Sequence, residues 1–366
     1  MEEDDGARSI MVVSQPVAGT VGTSVVDQKM LAHLPLLLHP APQRALSVSF
    51  GSGGTSYSMS LHGIDVDCVE IEARVPAAAQ FFASENHGIL SGPRYRLIID
   101  DARSSLRVAR VQYDVIATDC TNIQYRSNGD LYTVDYFRQM KNRLTANGLA
   151  AAWVPANGIA ECDLRTLLRS FQEVFPHTSV WYMNSLPTDF LIVIGTPDRL
   201  AINLEALGRR MSARAVASDL AAAGYTNPYR LVYSFLVGEE ALGRYVAHAE
   251  LNTDDQPILS YSTYGAAFRS TIAGNLAKLL ACREDVASLI HPPAPRLTML
   301  RHCAASNELL LGHIAHLAGA DEASAAHYRN AAQLLPDDPA VHHLGERVGG
   351  LPDVPLAPSS APAPPQ

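Results

Sequence analysis

The stretch "SVSFGSGGTSYSMSLHG", residues 47–63, runs from an apolar strand through a Gly-rich loop into a helix. Residues of this kind hold a ligand with main chain. Gly51, Gly53 and Gly54 carry no Cβ, so backbone can approach a bound group closely, with Ser52 among them, and the following helix offers its first N–H groups. Glu70 ends the next strand, about twenty residues on, where a carboxylate accepts hydrogen bonds from ribose hydroxyls. Asp100 and Asp101 end the strand after that, where an acid can reach an adenine amino group. The set predicts a nucleoside site outside the carboxyl ends of an open sheet. The loop is not GxGxxG and no Lys follows it to grip phosphate, which excludes a dinucleotide turn and a Walker loop. An adenosyl compound without phosphates fits, such as S-adenosylmethionine or a relative.

These residues need a scaffold, and the chain supplies one. Short apolar runs recur at "ALSVSF", "DVDCVEI", "YRLIID", "YDVIATD", "GLAAAWV", "SVWYM" and "DFLIVIG", several of them nearly continuous, as strands covered on both faces are. Helical spacing separates them, in "VPAAAQFFASEN" and in "VDYFRQMKNRLTANG", which is expected to stop at Asn147-Gly148. Such alternation predicts an α/β fold with a parallel-type sheet between helical layers. Before it, "SIMVVSQP" reads as one strand and "VVDQKMLAHLPLLLH" as a helix. After residue 196 the pattern weakens into helices joined by polar loops. Residues 300–347 read as a helical pair with tetratricopeptide-like spacing, which as a lone unit caps the main domain rather than starting a solenoid. The expected divisions are 1–40 (β segment and helix), 41–200 (nucleoside-binding core), 201–295 (remainder of the core domain), 296–347 (helical cap) and 348–366 (Pro-, Ala- and Ser-rich disordered tail).

Composition narrows the function. The 366 residues, 47% apolar and 18% charged, suffice for one large core with appendages. A net charge of −9 without a Lys/Arg stripe argues against nucleic acid as a partner. Cys68, Cys120, Cys162, Cys282 and Cys303 form no CxxC pair, so neither a disulfide framework nor a metal site is expected, and a reducing, cytoplasmic setting is. "MEEDDGARSI" lacks the features of a signal peptide, and the apolar run "HLPLLLHP" is too short to span a bilayer, so no membrane insertion by this chain is expected.

The order of "HLPLLLHP", "FGSGGTSYSMSLHG", "VEIE", "FFASENHGIL", "YDVIATD", "DLYTVDYF", "WVPANG" and "NTDDQPILSY" resembles that in spermidine synthases, the polyamine aminopropyltransferases. The likeness is strongest to bacterial members fused to a membrane region, and it covers roughly residues 10–280. The resemblance implies a small N-terminal β domain, a Rossmann-like core of the class I methyltransferase type, and a homodimer. It implies transfer of an aminopropyl group from decarboxylated S-adenosylmethionine to a small-molecule amine. By position, Glu70 would hold the ribose, Asp101 the adenine and Gln28 the nucleoside, while Asp119 would orient or deprotonate the attacking amine. Such an acid suits the chemistry, because an ammonium cannot attack a sulfonium carbon until it loses a proton.

The departures bear on the substrate. Ser52 stands where the family has an aspartate for the donor's amine, Asn122 where it has a second aspartate, Asp27 where it has a tyrosine contacting putrescine, and Ser49 where it has the loop's first glycine. The nucleoside half is retained and two diamine-recognising charges are missing. Three readings follow: an aminopropyltransferase-like enzyme, an S-adenosylmethionine-dependent methyltransferase, and a non-catalytic nucleoside- or polyamine-binding domain. Ser52 favours the second by removing a repulsion against the carboxylate of ordinary S-adenosylmethionine. Asp130 and Asp135 near the acceptor would favour the first. Tyr132 either closes over the acceptor or packs in the core, and Asp254-Asp255 either line the site or form a solvated turn. Cys120 reads as a small buried residue, and His342-His343 as a surface feature.

Overall fold

The computed structural model describes residues 8–12, 15–20, 23–119, 123, 128–262 and 270–347. Asn122, Cys120 and the tail 348–366 lie outside the described residues.

Strands β1 (Ser9–Val12) and β2 (Gln15–Gly19) pair antiparallel, so the single strand expected over "SIMVVSQP" is a hairpin. Its return is tight at Gly19, where a Cβ would lie 3.0 Å from the Arg8 carbonyl oxygen. Helix α1 (Thr23–Leu38) follows and is buried along most of its length. Met30, Leu31, Leu34, Leu36 and Leu37 are all fully enclosed, each contributing about 1.5–3 kcal/mol of burial.

The main sheet has eight strands: β3 (Arg44–Val48), β4 (Asp65–Glu70), β5 (Tyr95–Ile99), β6 (Tyr113–Thr118), β7 (Leu144–Pro155), β8 (His177–Trp181), β9 (Phe190–Thr196) and β10 (Phe235–Val237). Their spatial order is β5-β4-β3-β6-β7-β9-β8-β10. Strands β3 to β7 are mutually parallel, whereas β9 runs antiparallel to β7 and β8. This is the methyltransferase-type arrangement that the resemblance implies. Strand order reverses at β3, so the β3 and β6 carboxyl ends border the crevice where such sheets bind ligands.

Helices cover both faces. In β7, Ala150, Ala152 and Val154 join one core, while Leu149, Ala151 and Trp153 join the other. After the short helices α2 (Gly54–Ser60), α3 (Arg74–Ala77) and α4 (Ala83–Asn86), the helices α5 (Ala102–Val108), α6 (Val134–Arg143) and α7 (Glu161–Val174) line the first core. Helices α1, α8 (Leu204–Met211), α9 (Arg214–Ala222) and α10 (Pro228–Val232) line the second. Helices α11 (Glu239–Val246), α12 (Leu259–Ser262) and α13 (Ile272–Ala281) return to the first.

Two local expectations are corrected. Helix α6 ends at Arg143 rather than at Asn147-Gly148, because β7 starts at Leu144 with an irregular register against β6. A Cβ on Gly148 would lie 2.9 Å from both the Leu144 Cβ and the Tyr113 carbonyl oxygen, so this glycine admits a close strand approach rather than a helix cap. The run "VPAAAQFFASEN" is not one helix but α3, a 3₁₀ turn over Ala79–Phe82, and α4.

The C-terminal region holds three helices rather than a pair: α14 (Arg296–Leu317), α15 (Asp321–Leu334) and α16 (Pro339–Arg347). Gly312 of α14 seats the Tyr328 ring, which a Cβ would meet at 2.5 Å. Polar joints bind this unit to the core, among them Asn184 Nδ2 to Ser306 Oγ (2.9 Å) and Arg283 Nη2 to Ser306 Oγ (2.8 Å). Among the described residues, no helix is long and apolar enough to cross a membrane.

Candidate active site

The Gly-rich loop leaves β3 through three residues with positive φ: Ser49 (79°), Gly51 (53°) and Gly53 (87°). Ser49 adopts this geometry at a cost of about 1 kcal/mol, since its Cβ crowds the carbonyl. Gly53 is obligatory, because a Cβ there would lie 2.7 Å from the Phe50 ring and 2.8 Å from the Asn86 Cβ. Asn86 fixes the loop from α4, donating from Nδ2 to the carbonyls of Ser52 (2.9 Å) and Ala79 (2.8 Å). It was not singled out in the sequence, although a buried amide with two acceptors is a strong positional constraint.

Glu70 is buried at the end of β4 and organises the loop's entry. Its carboxylate accepts from the Phe50 N–H (2.9 Å), the Glu72 N–H (2.9 Å) and the Ser49 hydroxyl (3.3 Å). Asp100 and Asp101 follow β5. Asp100 accepts from the Ser105 hydroxyl (2.7 Å), and Asp101 caps α5 through the Ser104 N–H (2.8 Å). Glu70 and the Asp pair thus stand at adjacent strand ends, joined by the Asp100 N–H to the Glu70 carbonyl (3.0 Å).

Helix α1 meets the loop through Gln28. The Ser52 hydroxyl donates to Gln28 Oε1 (2.7 Å), and that oxygen lies so close to Gly54 that a Cβ there would sit 2.4 Å away. Ser52 and Gln28 therefore meet directly, and the loop presents no charge of its own.

Asp119 follows β6, buried, with its N–H on the Val48 carbonyl (2.9 Å). Thr55, in the first turn of α2, donates its hydroxyl to Asp119 Oδ2 at 2.7 Å, and its oxygen also lies 3.3 Å from the Gln28 carbonyl. Burial pushes the Asp119 carboxyl up to about 7; the Thr55 hydrogen bond opposes this and the nearby Glu70 charge adds to it. Asp27, one residue before Gln28, is buried too and accepts from the Thr188 hydroxyl. Burial drives its carboxyl well above the usual range, against that hydrogen bond, and Asp189 and Asp119 push it further the same way. Two acids that resist ionisation thus flank Gln28. Thr55 and the burial of Asp27 were not legible in the sequence.

The remaining candidates lie around the 252–259 turn. Tyr132 is fully buried and donates its hydroxyl to the Trp153 carbonyl (2.6 Å), the core-packing arrangement. Its own carbonyl accepts from Asn252 Nδ2 (3.0 Å), and the Asn252 Oδ1 accepts the Leu259 N–H (3.2 Å). Asp135 accepts the Asp254 N–H (3.0 Å), and Asp254 pairs with Arg103 and accepts from the Thr133 hydroxyl (2.8 Å). Asp130 is exposed, and its carbonyl faces Arg103 at 3.3 Å. Asp254 is thereby tied to α5 and α6 rather than standing as a loose turn.

Residues 24–195 match the family described as "Spermine/spermidine synthase domain". The chain is 30% identical over 160 residues to a polyamine aminopropyltransferase of Pectobacterium atrosepticum, covering 43% of this chain and 54% of that one. It is 29% identical over 181 residues to a polyamine aminopropyltransferase of Moorella thermoacetica, covering 49% and 63% respectively. The chain thus spans between about half and two-thirds of the length of these relatives. A solved spermidine synthase in complex with the transition-state analogue AdoDATO shares the fold, with a TM-score of 0.52 at 21% identity over 63% of this chain and 78% of that one. Over residues 24–195 the chain thus carries a domain of the spermine/spermidine synthase type.

Proposed function

We propose that this chain is a spermidine-synthase-like transferase that binds an adenosyl sulfonium donor, decarboxylated S-adenosylmethionine, and transfers its aminopropyl group to a polyamine-type amine. The observation that carries the reading is Asp119, a buried carboxyl on Thr55 beside the Gly-rich loop, its proton affinity raised to about 7. A base of that strength can take the proton of an ammonium poised to attack, since the best general base titrates near the working pH. In this reading Glu70, Asp101 and Gln28 hold the nucleoside, and Gly51, Ser52 and Gly53 surround the sulfonium end. Asp100 supports Asp101, and Asn122 belongs to the acceptor side, while Tyr132 lies in the core behind it. Attack of the amine nitrogen forms the new C–N bond, breaks the C–S bond and releases methylthioadenosine, with the amine proton passing to Asp119. Holding nitrogen, carbon and sulfur in line supplies much of the rate.

One observation favours a second reading. The Ser52 hydroxyl is spent on Gln28, so the loop offers no anion to an aminopropyl ammonium and no repulsion to a carboxylate. Undecarboxylated S-adenosylmethionine then becomes the donor and methyl the group transferred.

Calorimetric titration of the full chain with S-adenosylmethionine, its decarboxylated form, methylthioadenosine and S-adenosylhomocysteine separates the two. Tighter binding of the decarboxylated donor and methylthioadenosine supports aminopropyl transfer. Preference for the carboxylated pair supports methyl transfer, and binding of none of the four overturns both.

A further inference from the structure

Outside the site, three helices converge on one buried carboxylate. Asp219 of α9 forms an ion pair with Lys29 of α1, stands 2.9 Å from His33 Nε2 of α1, and accepts from the Ser58 hydroxyl of α2 at 2.6 Å. His33 passes its other ring nitrogen, Nδ1, to His62 Nε2 at 2.9 Å. Lys29, Ser58 and Asp219 are buried and His33 fully so, with Asp219 8% exposed and His62 half-buried. The partners of Asp219 are the immediate neighbours of site residues. Lys29 follows Gln28, and Ser58 lies three residues after Thr55 on α2, close to the same face of one short helix. Asp219 itself lies beyond residues 24–195, the segment that matches the family.

We infer that Asp219 is a positioning residue for the nucleoside site, clamping α1 and α2 so that Gln28 and Thr55 meet the Gly-rich loop and Asp119. The inference rests on the nucleoside reading above. Anchoring Lys29 and His33, one turn apart, fixes the rotation of α1 about its axis. That rotation decides whether the Gln28 amide faces Ser52 and whether its carbonyl faces Thr55. Anchoring Ser58 does the same for α2. A side chain from the C-terminal half of the chain thus sets the angle between two helices of the family domain.

The test uses the full-length chain and methylthioadenosine as the probe. Asp219→Asn keeps the shape but leaves Lys29 without its counter-charge, and Asp219→Glu keeps the charge. Because an orphaned buried lysine can unfold the protein, the double variant Lys29→Met/Asp219→Leu removes both charges together, a replacement cores commonly tolerate. Affinity is measured by calorimetry well below each variant's melting temperature. The expected result is about tenfold weaker binding in the double variant, which also melts lower because His33 and Ser58 lose their acceptor, with at least partial recovery of affinity in Asp219→Glu. Wild-type affinity in the double variant overturns the clamp and leaves the nucleoside reading standing. No binding by the wild-type chain overturns both.

Discussion

The Thr55 hydroxyl lies 2.7 Å from the Asp119 carboxylate, joining the first turn of α2 to the end of β6. This bond makes the Gly-rich loop and the acid one unit, since Thr55 follows Gly53 and Gly54 directly. It also stabilises the charged form of a carboxylate that burial otherwise disfavours.

With burial pushing Asp119 up to about 7, the proposed transferase activity should rise with pH through neutrality and level off above it, because a carboxyl can act as a base only when deprotonated. Asp119→Asn should lower kcat about 10²- to 10⁴-fold. The same substitution should stabilise the fold at alkaline pH. A carboxyl whose folded pKa is raised gives stability that is complete below its unfolded value near 4 and lost as pH rises through about 7. The asparagine variant should therefore melt a few degrees above wild type at pH 8 and match it at pH 4. A melting-temperature gain independent of pH would refute this account.

Thr55→Val removes the one hydrogen bond that lowers the Asp119 pKa. The midpoint of the pH–rate profile should move upward, while methylthioadenosine affinity changes little. A midpoint unmoved or moved down would show that Thr55 does not hold the reactive carboxylate.

Ser52→Asp restores an anion to the loop. Gln28 can accommodate it by turning its amide NH₂ toward residue 52, where Oε1 now accepts from the hydroxyl. Competition calorimetry should show the decarboxylated donor gaining affinity relative to S-adenosylmethionine by about tenfold, through attraction of the aminopropyl ammonium and repulsion of the carboxylate. Equal change for both donors would place the methionine-derived end elsewhere.

Asn86→Ala takes away the hydrogen bond that pins the loop at Ser52 and the one that ties α4 to Ala79. It leaves the Ser52 and Ala79 carbonyls without that donor, so unfolding free energy should fall by about 1–3 kcal/mol. Ligand affinity should fall with it. Denaturant melts with and without methylthioadenosine measure both, and an unaltered affinity would mean that the loop holds its shape alone.

The sheet was legible in the sequence because β3 to β9 must be apolar to lie between two helical layers, and the Gly-rich loop stood out because only glycine fits its closest approaches. Glu70, Asp100 and Asp101 could be placed at strand ends by counting along a parallel sheet. Boundaries set by long-range packing were not legible: α6 yields to β7 at Leu144 because pairing with β6 outweighs a local cap signal. Nor was the partner of each acid. Thr55 on Asp119, Thr188 on Asp27 and Ser58 with Lys29 and His33 on Asp219 join residues 64, 161, 161, 190 and 186 positions apart. No local pattern encodes such separations. Sequence by itself determined which residue types stand at the mouth of the sheet, because strand period and turn chemistry are local. Tertiary structure alone decided which acids are buried and what each one touches, because desolvation and hydrogen bonding depend on what the rest of the chain folds against them.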